Sequence, residues 1–299
     1  MTAKDLSLGL IIIFAWGFNF VVIRWGLDAM TPMMLGGMRF LVLALVGCFF
    51  FARPKTPLKW CLLYALSLNF GQFAWLFCAM TFGMPAGLAS LVLQSQAIFT
   101  LIFSVLLLKE TVRPYQILAV TIASGGLAII GAAGEDTSMT VLGFILTLAA
   151  ASSWALGNIT TKAIIQKGYQ ADLSLIVWSA GIASVPFFIT SYFVDGPDLM
   201  WSNLKDINWS TVAVLGYLAL FATLAGYGLW SQLMSRYSAG TVAPLSLGVP
   251  VVGLTSAALV LNESISHQQW VGILVVLLGL MLNTFGGRLR HSNHNQRIR

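Results

Sequence analysis

The side chains with chemistry to offer in this chain are mostly amides. Gln94 and Gln96 stand in LASLVLQSQAIFTLIFSVLLLKETV (88–112), a run that is otherwise almost wholly apolar. A primary amide carries two donors and an acceptor with two lone pairs. Hydrocarbon meets none of them, so each glutamine must touch a ligand, water or a neighbouring helix. At about 100° per residue the two lie about 200° apart on a straight helix. Gln94 shares a face with Ser90, Ala97 and Leu101, and Gln96 with Val92, Phe99 and Phe103. One is expected to face a central cavity and the other to hold a neighbouring helix.

Other polar groups repeat the pattern. Asn19 shares a face with Trp16 and Ile23, and Trp154 and Asn158 are spaced i,i+4 on one face. An aromatic wall beside an amide suits a small amphipathic zwitterion. The plainer reading is tryptophans packed at helix contacts and amides filling gaps. Asn69 and Gln72 form an i,i+3 pair. Arg39 lies about six residues into its run, roughly 9 Å deep at 1.5 Å per residue. An isolated charge there is expensive and calls for a substrate carboxylate, helix carbonyls or water. Pro244 and Pro250 interrupt a later run. Proline frees backbone carbonyls, which either border a cavity or mark a packing kink.

This is the chemistry of binding and orienting, not of making bonds. The chain has no GxSxG and no paired His/Glu metal motif, and His267, His291 and His294 fall in a loop or the tail. Cys48, Cys61 and Cys78 are odd in number and fit no metal spacing, so they are expected to pack as small apolar residues. No enzyme, cofactor or metal is expected.

The elements that position these residues follow from composition. The chain is 58% hydrophobic and 9% charged, against about 25% charged for a soluble domain, and its mean hydropathy is +0.85. Ten apolar runs can be read, at roughly 6–23, 33–52, 60–80, 86–108, 117–133, 141–161, 173–193, 212–233, 241–261 and 270–285, the fifth and tenth being short. A helix needs about 20 apolar residues to span a bilayer. Continuous rather than alternating runs favour helices over a barrel. The first run has no convincing cleavage site and carries Trp16, Asn19 and Arg24, so it is expected to stay.

With the N-terminus cytoplasmic, the inner side holds Lys4, Arg53, Lys55, Lys59, Lys109, Arg113, Lys162, Lys167, Arg236, Arg288, Arg290, Arg297 and Arg299. The outer side holds Lys205, with Asp28, Glu135, Asp136, Asp195, Asp198, Asp206 and Glu263. This is a positive-inside bias with both termini inside. The net charge of +6 is therefore a topology signal near anionic headgroups, and no nucleic-acid partner is expected.

The halves repeat. AGLASLVLQSQAIFTLIFSVLLLKET (86–111) aligns with AGTVAPLSLGVPVVGLTSAALVLNES (239–264) at a shift of 153 residues, matching Leu108 with Leu261 and Glu110 with Glu263. The register extends to Tyr64 and Tyr217, and to Gly126 and Gly279. WGFNFVVIR (16–24) echoes WALGNITTK (154–162) at a shift of 138, the difference falling in the loop near 194–210. Five runs per half is an odd number, so the second half enters from the opposite side. Such inverted repeats are common in secondary transporters, where the site opens alternately to each face.

Two five-helix halves whose fourth helices end in LLLKE and LVLNE resemble the drug/metabolite transporter superfamily and its EamA domains, across essentially the whole chain. Pro32, Leu35 and Arg39 fit the same likeness, which favours a structural or gating role for Arg39 over contact with one specific substrate. WGFNFVVIRWGL (16–27), FCAMTFGMPAGLASLVLQSQA (77–97), LGFILTLAAASSWALGNI (142–159) and VAPLSLGVPVVGL (242–254) are similar to family members that export cysteine and O-acetylserine across the bacterial inner membrane. The resemblance implies an all-α integral membrane protein of ten transmembrane helices, arranged as two inverted five-helix EamA repeats, 1–135 and 136–299. It also implies export of a small zwitterionic metabolite through the bilayer. Another cargo, such as aromatic amino acids or amphipathic drugs, is the alternative. Many such domains place proline in the fourth helix where this chain has Ala97, while Pro250 stands in the ninth, so the two halves are expected to break their helices differently.

Overall fold

The computed structural model of the chain describes residues 1–133 and 139–296. Glu135, Asp136, Arg297 and Arg299, and with them the boundary between the two halves, lie outside the described residues. Among the described residues the secondary structure is helical throughout, with no strand. In chain order the apolar helices are α1 (Ala3–Ala29), α2 (Pro32–Gly47), α3 (Leu58–Thr81), α4 (Ala86–Leu108), α5 (Pro114–Gly131), α6 (Val141–Gln166), α7 (Leu173–Val194), α8 (Trp209–Arg236), α9 (Pro244–Val260) and α10 (His267–Gln296). Among the described residues, eight are long and apolar enough to cross a membrane, and α2 and α9 are shorter. A further short helix, Pro197–Lys205, sits between α7 and α8.

The short members are not the fifth and tenth, as the run lengths suggest. α5 has 18 residues and α10 has 30, continuing into the basic tail, whereas α2 has 16. The reason is local backbone chemistry. α2 stops at Gly47, where the chain turns, and α9 opens in a 3₁₀ stretch around Pro244. Helix starts are set by side-chain caps that satisfy free N–H groups. Thr2, Thr31, Thr140, Asp172 and Asn208 each accept from the backbone N–H three residues on.

Packing follows a two-fold pattern. α5 lies along α10 and α2 along α7, while α1 rests on α9 and α8 as α6 rests on α4 and α3. The α5–α10 contact is backbone to backbone. A Cβ on Gly126 would come within 2.6 Å of Val276 N, and one on Gly279 within 2.6 Å of Ala123 N. Small residues are what let membrane helices approach this closely.

Irregularities recur too. α3 carries a π-helical stretch at Ala65–Gly71, and α8 carries one at Tyr217–Ala225, in register at the 153-residue shift. α4 and α9 both end on a left-handed residue, Lys109 and Asn262, each with φ 55°, also in register. Both fourth-type helices also contain a 3₁₀ stretch, Leu93–Ser95 in α4 and Ala243–Leu247 across the start of α9. The expected difference in helix breaking is thus one of length and placement, with Pro250 itself buried inside regular α-helix.

Candidate transport site

The candidate site lies where α4 changes partners. Its first stretch, Ala86–Val92, packs on α9. Contact is close there: a Cβ on Gly253 would lie 2.3 Å from Ser90 Oγ. Beyond the 3₁₀ turn, Gln96–Leu108 packs on α6 instead. Gln94 sits at the point of divergence, half-buried, its side chain without a hydrogen bond to any described residue. Beside it, Ser95 Oγ is buried without a partner.

Gln96 is the interhelical amide. Asn158 Nδ2 donates to Gln96 Oε1 at 2.8 Å and to Thr100 Oγ1 at 3.1 Å, and Thr100 Oγ1 donates to Gln96 Oε1 at 3.3 Å. Two residues read separately from the sequence therefore satisfy each other. The roughly 200° between the glutamines is what sends one to a helix contact and leaves the other open.

The tryptophans stand at equivalent positions of α1 and α6 at the 138-residue shift. Trp16 Nε1 donates to Ala222 O at 2.9 Å, and its ring lies 5.3 Å from those of Tyr227 and Trp230. Trp154 packs beside Tyr64 and Leu68. Asn19 is buried, and its Oδ1 has no partner. Asn69 ties α3 to α7 through Ser179 Oγ at 2.9 Å. Gln72 is buried, and its side chain forms no hydrogen bond with the described residues. Pro250 is buried where α9 meets α1, next to Val249, whose carbonyl approaches Gly17. Pro244 opens the 3₁₀ stretch.

Arg39 is 4% exposed, yet it has one hydrogen bond, from Nη2 to Thr223 Oγ1 at 3.0 Å. Nε and Nη1 are buried without partners. The guanidinium lies 4.1 Å from the centre of the Phe73 ring and 5.6 Å from that of Phe40.

Residues that sequence reasoning missed tie the helix ends. Asp5 accepts from Arg236 Nη1 at 2.8 Å and from the Tyr237 hydroxyl at 2.7 Å, joining α1 to the end of α8. At the matching join of α6 to α3, Thr140 Oγ1 donates to Phe82 O and Thr140 N donates to Gly83 O. The equivalence of Thr2 and Thr140 at the 138-residue shift was the available signal. Glu263 reaches back to α4, accepting from Ala86 N at 2.7 Å and Gly87 N at 2.9 Å. Glu110 instead pairs with Lys162 Nζ at 2.5 Å. A shallow cavity of about 330 Å³ lies at the Glu263 end, bordered by Arg24, Asp28 and Met84. It is separate from the amides, and Arg24 pairs there with Asp28 at 3.1 Å.

A family described as "EamA-like transporter family" matches residues 4–132 and again 141–285. The chain belongs to this family. It is 47% identical to a "Probable amino-acid metabolite efflux pump" of Salmonella typhimurium, over 98% of each chain. A protein of the same description from Escherichia coli is also 47% identical, over 97% of this chain and 98% of that one. A solved structure titled "Crystal structure of protein" superposes with a TM-score of 0.64 at 14% identity, covering 95% of this chain and 97% of the other. That likeness concerns the fold alone. Membership in the EamA-like family makes the chain a multi-pass membrane transporter, and its polar interior residues are read on that basis.

Proposed function

We propose that the chain is a secondary exporter of small amino-acid metabolites, with cysteine and O-acetylserine as cargo, working by alternating access in the bacterial inner membrane. Ten spans form two inverted halves, 1–135 and 136–299, with both termini cytoplasmic. The efflux description of the two relatives supports the reaction class. The two-fold exchange of helix contacts supports the inverted halves.

The observation that carries this reading is the divergence of α4 from α9 at Gln94. The helices meet along Ala86–Val92, where Glu263 caps α4, and beyond the 3₁₀ turn α4 follows α6. With the N-terminus inside, the Glu263 end is the outer one. The described state is then shut outside around Ser90 and Gly253 and parts toward the cytoplasm, as loading of an export cargo requires. Gln94 and Asn19 present unspent amide groups to the cargo. Trp16 and Trp154 form walls held in place by the π-helical stretches, and Gln96 and Asn158 brace α4 against α6. Asn69 serves as interhelical support, with Gln72 beside it on α3. No Asp or Glu occupies the Gln94 divergence among the described residues; efflux down the cargo gradient is adequate chemistry, and proton exchange through the cargo's own ionisable groups is the alternative.

The aromatic group of Trp16, Tyr227 and Trp230 favours a second reading, aromatic amino acids or amphipathic drugs as cargo. One assay separates them. Liposomes carrying the protein are loaded with radiolabelled cysteine, and efflux is followed against O-acetylserine, phenylalanine and an amphipathic cation. Efflux that depends on the protein and is slowed by O-acetylserine supports the first reading. Slowing by the aromatic competitor alone supports the second. An imposed pH gradient should leave the rate unchanged.

A further inference from the structure

Among the described residues Arg39 is a buried cation that forms no ion pair. Its partners there are one hydroxyl and two phenyl rings. A guanidinium is a planar fork of five N–H donors matched to a carboxylate, and here Nε and Nη1 have no acceptor. Removing such a charge from water is costly unless it is paired. Cation–π contact with Phe73 offsets only part of that cost.

The fold does not require the charge. α7 is the partner of α2 across the two-fold, and Leu173–Val194 contains no charged residue. At the 138-residue shift the counterpart of Arg39 is Val177, buried in an apolar cluster. An arginine kept on one half alone serves something the symmetric scaffold does not.

Its surroundings are irregular in backbone. Thr223, its single hydrogen-bond partner, lies inside the π-helical stretch of α8, and the Thr223 hydroxyl also donates to Leu218 O at 2.8 Å. Phe73 lies two residues beyond the π-helical stretch of α3. π-bulges are frequent at functional sites. Tyr227, four residues after Thr223, has its ring 5.3 Å from that of Trp16.

We propose that Arg39 is the carboxylate anchor of the transport site, exchanging Thr223 for the carboxylate of the cargo as α8 shifts against α2. The proposal rests on the export reading given above and deepens it. Cargo must then carry a free carboxylate, while its amine and side chain are read more loosely by the amides and rings.

The test uses three small thiols: cysteine, cysteamine, which lacks the carboxylate, and 3-mercaptopropionate, which lacks the amine. Each competes with radiolabelled cysteine efflux and is tried as a thermal stabiliser of the purified protein. In the wild type, 3-mercaptopropionate should compete at least tenfold better than cysteamine. Arg39→Gln should abolish that gap and the carboxylate-dependent thermal shift, and Arg39→Lys should restore part of both. Without ligand, Arg39→Gln should melt at or above the wild type, because an unpaired buried charge has been removed. A purely structural arginine would lower it.

Equal competition by cysteamine in the wild type overturns the anchor without any variant, as does a carboxylate preference that survives Arg39→Gln. Absence of cysteine efflux with the carboxylate-dependent thermal shift retained would remove the assigned cargo and leave the anchor standing.

Discussion

The ends of α4 and α9 share one backbone and differ in one partner. Both finish on a left-handed residue, and both close with the same long backbone bond, Glu110 N to Ser104 O at 3.2 Å and Glu263 N to Ala257 O at 3.3 Å. Glu110 then faces Lys162 near solvent, where the two side chains are 35% and 46% exposed. Such a pair contributes about 0–1 kcal/mol. Glu263 faces two N–H groups at the start of a helix, where hydrogen bonds to a charged group contribute about 1.5–3 kcal/mol each and the helix dipole adds to them. A symmetric scaffold can therefore hold an asymmetric state, with the stronger contact marking the shut end.

The largest expected effect tests the symmetry itself. Gly126→Leu and Gly279→Leu each force a side chain between the backbones of α5 and α10, and overpacking costs about 1–3 kcal/mol or more. Their melting temperatures should fall by similar amounts, and a large loss in only one would break the two-fold description. Next comes the asymmetry. Glu263→Gln should weaken the outer closure, so that Ser90→Cys becomes open to a membrane-impermeant thiol reagent about ten to a hundred times faster, the equivalent of about 1.5–3 kcal/mol. An unchanged rate would remove Glu263 as the closing contact.

Part of this was legible in the sequence. The number and order of the apolar runs, the 153-residue register and the amide positions all come from local residue types. The register even carries the π-helical stretches and left-handed ends, because equivalent residues meet equivalent surroundings. Pairings between helices were not legible. Gln96 meets Asn158 across 62 residues and Asp5 meets Arg236 across 231, and periodicity within one helix says nothing of what stands opposite. The difference between Gln94 and Gln96 was half legible: their angular separation followed from spacing, but which one meets a neighbouring helix depends on where α4 leaves α9.

Smaller effects sharpen that difference. Gln96→Leu should lower stability by about 0.6–1.7 kcal/mol, the range of hydrogen bonds between membrane helices. Gln94→Leu should leave the melting temperature unchanged and abolish cysteine efflux. A folded Gln94→Leu protein that still exports would move the site elsewhere. The smallest effect belongs to Glu110→Gln, which should change outer labelling by less than about fivefold, in keeping with an exposed ion pair.

The most direct test of alternating access is the labelling of Ser90→Cys from outside the membrane, in a background lacking Cys48, Cys61 and Cys78. Ser90 is fully buried against Gly253 in this state. The account predicts slow labelling without cargo and fast labelling while cysteine is being exported. Labelling that is equally fast, or equally slow, in both conditions would contradict it.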